Sequence, residues 1–148
     1  KPKESPDAWV VEVVNTMKTG DCDKLEKLLT SFFASIPYSQ RRKDDEREKE
    51  RYFQYTFYLV IRMISSFTVL IEKEQSEGRV DCIIETPMFV YIFEFKRDGS
   101  ATEALKQIEG KGYAREYATD NRTIYLIGCN FSSKTGTIDD WKSKGKSV

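Results

Sequence analysis

With 148 residues, a hydrophobic share of 39% and an aromatic share of 13%, the chain has the material for one packed domain. Its 24 Lys and Arg balance 24 Asp and Glu, so it lacks the broad basic field of a stand-alone nucleic-acid binder. The complete absence of histidine excludes a histidine general base, a Ser-His-Asp or Cys-His nucleophile, and any zinc site built on imidazole.

Cys22, Cys82 and Cys129 are too widely spaced for a CxxC clip, and their odd number argues against a disulfide framework, so they read as reduced, mostly buried thiols. No apolar run approaches the roughly 18–20 residues of a membrane span, and no signal-peptide pattern opens the chain. A cytoplasmic location without membrane partners is the expectation. Because the chain begins at Lys1 in a loop-like stretch, the expectation is also a fragment of a longer protein. That fragment is read as a single domain over 1–148, with a helical N-terminal part (1–65), a core (66–131) and a peripheral tail (132–148).

Ser5-Pro6-Asp7 reads as a helix start, with Trp9, Val10, Val13, Val14 and Met17 at helical spacing and Gly20 as the stop. Asp21 can cap a second helix carrying Leu25, Leu28, Leu29, Phe32 and Phe33, which Ile36-Pro37-Tyr38 breaks. The charged run from Arg41 passes into an amphipathic pattern, predicting one helix from about Asp45 to Ser65 with Glu50 near its inner face. Strands are predicted over Phe67 to Lys73, Arg79 to Ile84 and Met88 to Lys96, with turns at Ser76-Glu77-Gly78 and Thr86-Pro87. The third strand is apolar on both faces through Phe93, the pattern of a central strand covered on both sides. A helix from about Ala101 to Ala118 follows, capped by Ser100, in which close approach to the sheet would explain Gly110 and Gly112. Thr123 to Cys129 reads as a buried strand, and the tail after Asn130 as peripheral apart from Trp141.

Side chains two apart on a strand point the same way, so Glu94 and Lys96 project together at the end of the central strand. A hairpin turning near Glu85 to Pro87 brings the neighbourhood of Asp81 alongside them. Two carboxylates on neighbouring strands can share one hard cation such as Mg2+, and a lysine beside them can position water or steady a phosphoryl transition state. The Glu-x-Lys spacing alone is uninformative, since Glu109-Gly110-Lys111 matches it too, and the bland alternative is a rim salt bridge between Glu94 and Lys96.

Gly78-Arg79-Val80-Asp81, Ile92-Phe93-Glu94-Phe95-Lys96, and Ala104-Leu105-Lys106-Gln107-Ile108 with Tyr113 together resemble the motifs of the PD-(D/E)XK nuclease superfamily. More narrowly, they resemble its bacterial branch often found C-terminal to an AAA-type ATPase-like domain. The resemblance extends through Ile36-Pro37-Tyr38, the helix containing Glu50, Ile127 to Phe131 and Trp141, and departs at Val80, where the superfamily's name has proline. It implies an α/β, restriction-endonuclease-like core, a βββαβ mixed sheet flanked by helices with further N-terminal helices. It also implies a Mg2+- or Mn2+-dependent nuclease, with Asp81 and Glu94 as metal ligands and Lys96 as the catalytic lysine. Glu50 would match an acidic residue assisting metal or water, unless it only pairs with Arg47 or Arg51. Gln107 would match a glutamine that orients the site, unless it caps exposed backbone. Glu72 matches an acidic position of undefined role. Lys106, Lys111, Arg115 and Arg79 are candidate phosphate contacts, Arg79 having a salt bridge to Glu72, Glu74 or Glu77 as its alternative. The rival reading is an inactive module of the same fold that binds nucleic acid or an ATPase-like neighbour.

Overall fold

Two helices open the computed structural model, which describes residues 6–35, 68–75 and 78–146, with side chains described at 8–35, 82–112 and 114–145. Helix α1 (Pro6–Thr19) stops at Gly20, whose φ of 77° is left-handed and whose missing Cβ leaves room for the Phe89 ring. Asp21 then caps α2 (Cys22–Ser35), its Oδ1 accepting from the Lys24 N–H at 3.0 Å. Leu25, Leu29 and Phe33 recur every four residues on the buried face of α2. The predicted helix from Asp45 to Ser65, the Ile36-Pro37-Tyr38 break and the Ser5 cap lie outside the described residues.

The described residues form five strands, β1 (Thr68–Gln75), β2 (Gly78–Glu85), β3 (Phe89–Arg97), β4 (Thr123–Phe131) and β5 (Ile138–Lys146), in spatial order β1-β2-β3-β4-β5. Strands β1, β2 and β3 form an antiparallel meander, β3 and β4 run parallel, and β5 returns antiparallel to β4. A parallel pair needs a crossover, which α3 (Ala101–Lys111) and a short 3-10 turn (Tyr113–Tyr117) supply. This is the restriction-endonuclease-like α/β arrangement of a mixed sheet flanked by helices.

Strand alternation divides the core between the two faces. Cys82, Ile84, Tyr91, Phe93, Ile127, Cys129 and Phe131 pack against α1 and α2, and the Tyr91 hydroxyl donates to the Met17 carbonyl at 2.6 Å. On the other face Ile83, Val90, Ile92, Ile124 and Leu126 pack against Ile108 of α3 and Tyr117. Val90 to Phe93 are all buried, as expected of a central strand.

Three expectations are corrected. The helix after β3 ends at Lys111, because Gly112 takes a left-handed φ of 69° and closes it with its N–H on the Glu109 carbonyl. Residues 113–117 continue as the 3-10 turn, which removes Arg115 from the helix. Close approach to the sheet belongs to Gly128, since a Cβ there would sit 2.3 Å from the Ala101 carbonyl oxygen, whereas one on Gly110 would meet nothing within 4 Å. The tail also contains β5, which seats Ile138 in the core and Trp141 edge-on to Phe93. Its charges mask it: Asp139, Asp140, Lys142, Lys144 and Lys146 break the apolar alternation, as suits an edge strand protected against further pairing.

Candidate functional site

Glu94 and Lys96 share strand parity with Val90 and Ile92, so they belong to the α3 face of β3. Glu94 is only 4% exposed, which is unusual for a carboxylate. Its Oε1 accepts from the Lys111 ammonium at 3.0 Å, and its Oε2 is buried without a hydrogen-bond partner among the described residues. Lys96 is half-buried one turn of the pleat further on, and among the described residues it forms no ion pair with Glu94. The rim salt bridge between Glu94 and Lys96 is therefore not what the structure shows.

The pairing register sets the remaining acidic positions beside Glu94. Ile71 faces Cys82 and Lys73 faces Val80, which sets position 72 across from position 81. The described β2–β3 pairing ends at Cys82 opposite Phe93, and one further step of that register would set 81 across from 94. On that extension positions 72, 81 and 94 would stand in one row across three strands, where directly opposed positions share a face. The row continues to Gly128, paired with Glu94, where the absent side chain admits the first turn of α3. The side chains of Asp81, Glu72, Arg79 and Tyr113, and the whole of Glu50, lie outside the described residues. Among the described residues no three metal-binding side chains gather.

The other candidates separate. Lys106 and Gln107 are exposed on α3, and among the described residues the hydrogen bond to Glu94 comes from Lys111, not from Gln107. Arg115 lies on the 3-10 turn with its guanidinium over Gly112. The second Glu-x-Lys copy does not converge, because residues two apart on a helix diverge: Glu109 turns to Lys144 at 3.4 Å, while Lys111 turns to Glu94. Lys111, expected as a phosphate contact, stands as an ion-pair partner of the buried carboxylate. Its place in the last turn of α3 favours a positive charge, but a contact spanning 17 residues has no signature in spacing.

A further set of residues, unanticipated from the sequence, holds the segment between Lys96 and α3. Asp98 has a φ of 53°, and its carboxylate accepts from the Ser133 N–H at 2.8 Å and the Ser133 hydroxyl at 2.6 Å. The Gly99 N–H donates to Asn130 Oδ1 at 2.9 Å, and Asn130 Nδ2 donates to Asp139 at 2.8 Å. The register shift at Asn130/Phe131 is a bulge, and at it Asp140 accepts from the Ala101 N–H at 2.8 Å. Ser100 caps α3 through the Glu103 N–H at 3.1 Å, as expected.

Carboxylate oxygens are the donors a hard divalent cation prefers, and a buried carboxylate oxygen with no described partner is the kind of atom such an ion satisfies. Glu94 therefore offers a donor of the kind a divalent ion takes. Among the described residues no helix is long and apolar enough to cross a membrane.

Comparison with known proteins agrees with this architecture. A protein of Azotobacter chroococcum mcd 1, described only as an uncharacterized protein in the vnfD 5' region, is 32% identical over 129 residues, covering 86% of this chain. The aligned region is 25% of that relative's length, so the chain spans about a quarter of it. No solved structure matches. The model of the PD-(D/E)XK nuclease superfamily matches residues 48–141, which include Asp81, Glu94, Lys96 and the carboxylates that anchor α3, and the chain belongs to that superfamily.

Proposed function

We propose that this domain is a divalent-cation-dependent phosphodiesterase of nuclease type acting on nucleic acid, with DNA as the default substrate by analogy within the superfamily. The observation that carries the reading is the buried Glu94 carboxylate, with one oxygen unpartnered among the described residues, on the same strand face as Lys96. Asp81 and Glu94 would hold Mg2+ or Mn2+, with Glu50 as a further ligand or a hold on water. When bound, the cation neutralises charge on the scissile phosphate and makes water a better nucleophile at neutral pH. Lys96 supplies a fixed positive charge that orients the attacking water and stabilises charge gathering on the phosphoryl oxygens. Gln107 would orient the site or contact substrate, and Lys106, Arg115 and Arg79 would meet the phosphate backbone.

The rival, a non-catalytic module binding nucleic acid or an AAA-type ATPase-like domain in the same full-length chain, draws on the formal net charge of +0. A thermal-shift titration with Mg2+ or Mn2+, paired with a cleavage assay, separates the two. The hydrolase reading expects stabilisation by millimolar cation that Glu94→Ala abolishes. It also expects Lys96→Ala to lower divalent-dependent cleavage by about 100-fold or more while the fold persists. Wild-type cleavage by the Lys96 variant, in preparations free of contaminating nuclease, refutes the assignment of Lys96.

A further inference from the structure

On the nuclease-type reading above, we propose that Lys111 is a positioning residue that holds Glu94 in the cation-free protein and thereby sets the divalent concentration at which the site loads. The lysine engaged by the central carboxylate is the one on α3, with Nζ at 3.0 Å from Oε1, and not the neighbouring Lys96 on the same strand. A carboxylate this deeply buried needs a compensating charge, because an uncompensated one in a poorly hydrated site is strongly destabilising. Lys111 supplies that charge to one oxygen and leaves Oε2 without a described partner.

The two carboxylate oxygens thus have different duties. A divalent ion approaching Oε2 meets a carboxylate whose charge is already half spoken for, and then sits within a few ångströms of an ammonium of its own sign. Lys111 stabilises the empty site and opposes the loaded one, so its removal trades stability of the empty protein for cation affinity. A lysine that served only to contact substrate phosphate would leave cation affinity in the absence of substrate unchanged.

Manganese titrations of the whole protein, followed by thermal shift and by calorimetry without nucleic acid, test this directly. Lys111→Met is expected to melt below wild type without cation and to half-saturate at about tenfold lower Mn2+, the lower end of what a close charge pair contributes. Lys111→Arg, which keeps the charge, is expected to follow wild type. Lys111→Gln keeps a donor for Oε1 without the charge and carries the same expectation as Lys111→Met if that variant does not fold. Half-saturation of the neutral variants at wild-type or higher Mn2+, with Glu94→Ala unresponsive, overturns the role of Lys111 and leaves the nuclease reading standing. A wild-type protein that does not respond to Mn2+ at all overturns both.

Discussion

Gly128→Ala is the substitution whose effect the structure determines most fully. A Cβ at this position would lie 2.3 Å from the Ala101 carbonyl oxygen, 2.8 Å from the Leu105 nitrogen and 3.1 Å from the Ala104 Cβ. Ordinary contact begins near 3.4 Å, so α3 would have to withdraw from β4 by about 1 Å. Two of the three atoms are backbone and cannot swing aside, which puts the cost at the upper end of overpacking, about 3 kcal/mol. For a chain of this size that corresponds to a fall in Tm of about 6–12 °C. Gly110→Ala is the matched control: its Cβ meets nothing within 4 Å, and replacing glycine inside a helix should add about 0.4–1 kcal/mol, raising Tm by about 1–4 °C. Melting of the two variants by circular dichroism decides the matter. Equal destabilisation by both, or a Gly128 variant melting with wild type, would refute the assignment of the close approach to Gly128. Gly128 is also the pairing partner of Glu94, so a displaced α3 carries Lys111 away from the carboxylate, and the same variant should bind Mn2+ differently from wild type.

Two further outcomes follow from ionisation. The side-chain hydrogen bond from Arg122, with its backbone N–H in support, holds the Asp120 carboxyl down to about 2. A depressed carboxyl contributes stability that is complete above its ordinary value of 3.8 and fades as the pH falls towards 2. The Tm difference between wild type and Asp120→Asn should therefore narrow on acidification from pH 6 to pH 2.5, and a constant difference contradicts the pairing. Burial pushes the Cys22 thiol up to about 12, with Asp23 adding to the effect, and raises the fully buried Cys129 well above its ordinary value. A raised thiol contributes stability below its ordinary value near 9 that is lost as the pH rises towards 12. At pH 8 a thiol-exchange reagent should label the three cysteines only after denaturant is added, and rapid labelling of Cys22 or Cys129 in the native protein counts against their burial.

The elements that sequence reasoning located are those whose signals are local. Gly20, Asp21 and Ser100 mark helix ends through their own backbone or side-chain chemistry, and each performs that task in the structure. The double-sided apolar run of β3 announced a central strand, and strand parity alone put Glu94 and Lys96 on one face. What stayed illegible depends on partners distant in the chain. Glycine at position 128 reads as an interruption of a buried strand until α3 is known to cross it, while Gly110 and Gly112 looked like the close-packing residues because they stand in the helix itself. The Lys111 contact with Glu94 is likewise a product of where α3 ends, and that end is fixed by the left-handed φ of Gly112. A strand as charged as β5 escapes any reading based on hydrophobic alternation, because among its described residues the apolar side chains in the core are Ile138 and Trp141, and their spacing of three is broken by the bulge.

That overlooked strand has the largest consequence for the site. Lys96 is followed at once by Arg97-Asp98-Gly99-Ser100, a segment whose backbone would wander if held only by its neighbours in sequence. It is instead held from β4, β5 and the turn between them: Asp98 by Ser133, Gly99 by Asn130, and the first N–H of α3 by Asp140. The bulge at Asn130/Phe131 lets consecutive carboxylates act together, Asp139 fixing the Asn130 amide that receives Gly99 while Asp140 receives Ala101. Without that extra residue, strand alternation would send Asp139 and Asp140 to opposite faces. The polar residues of β4 and β5 therefore fix where β3 stops and α3 starts, which in turn fixes the distance from the α3 lysine to the β3 carboxylate.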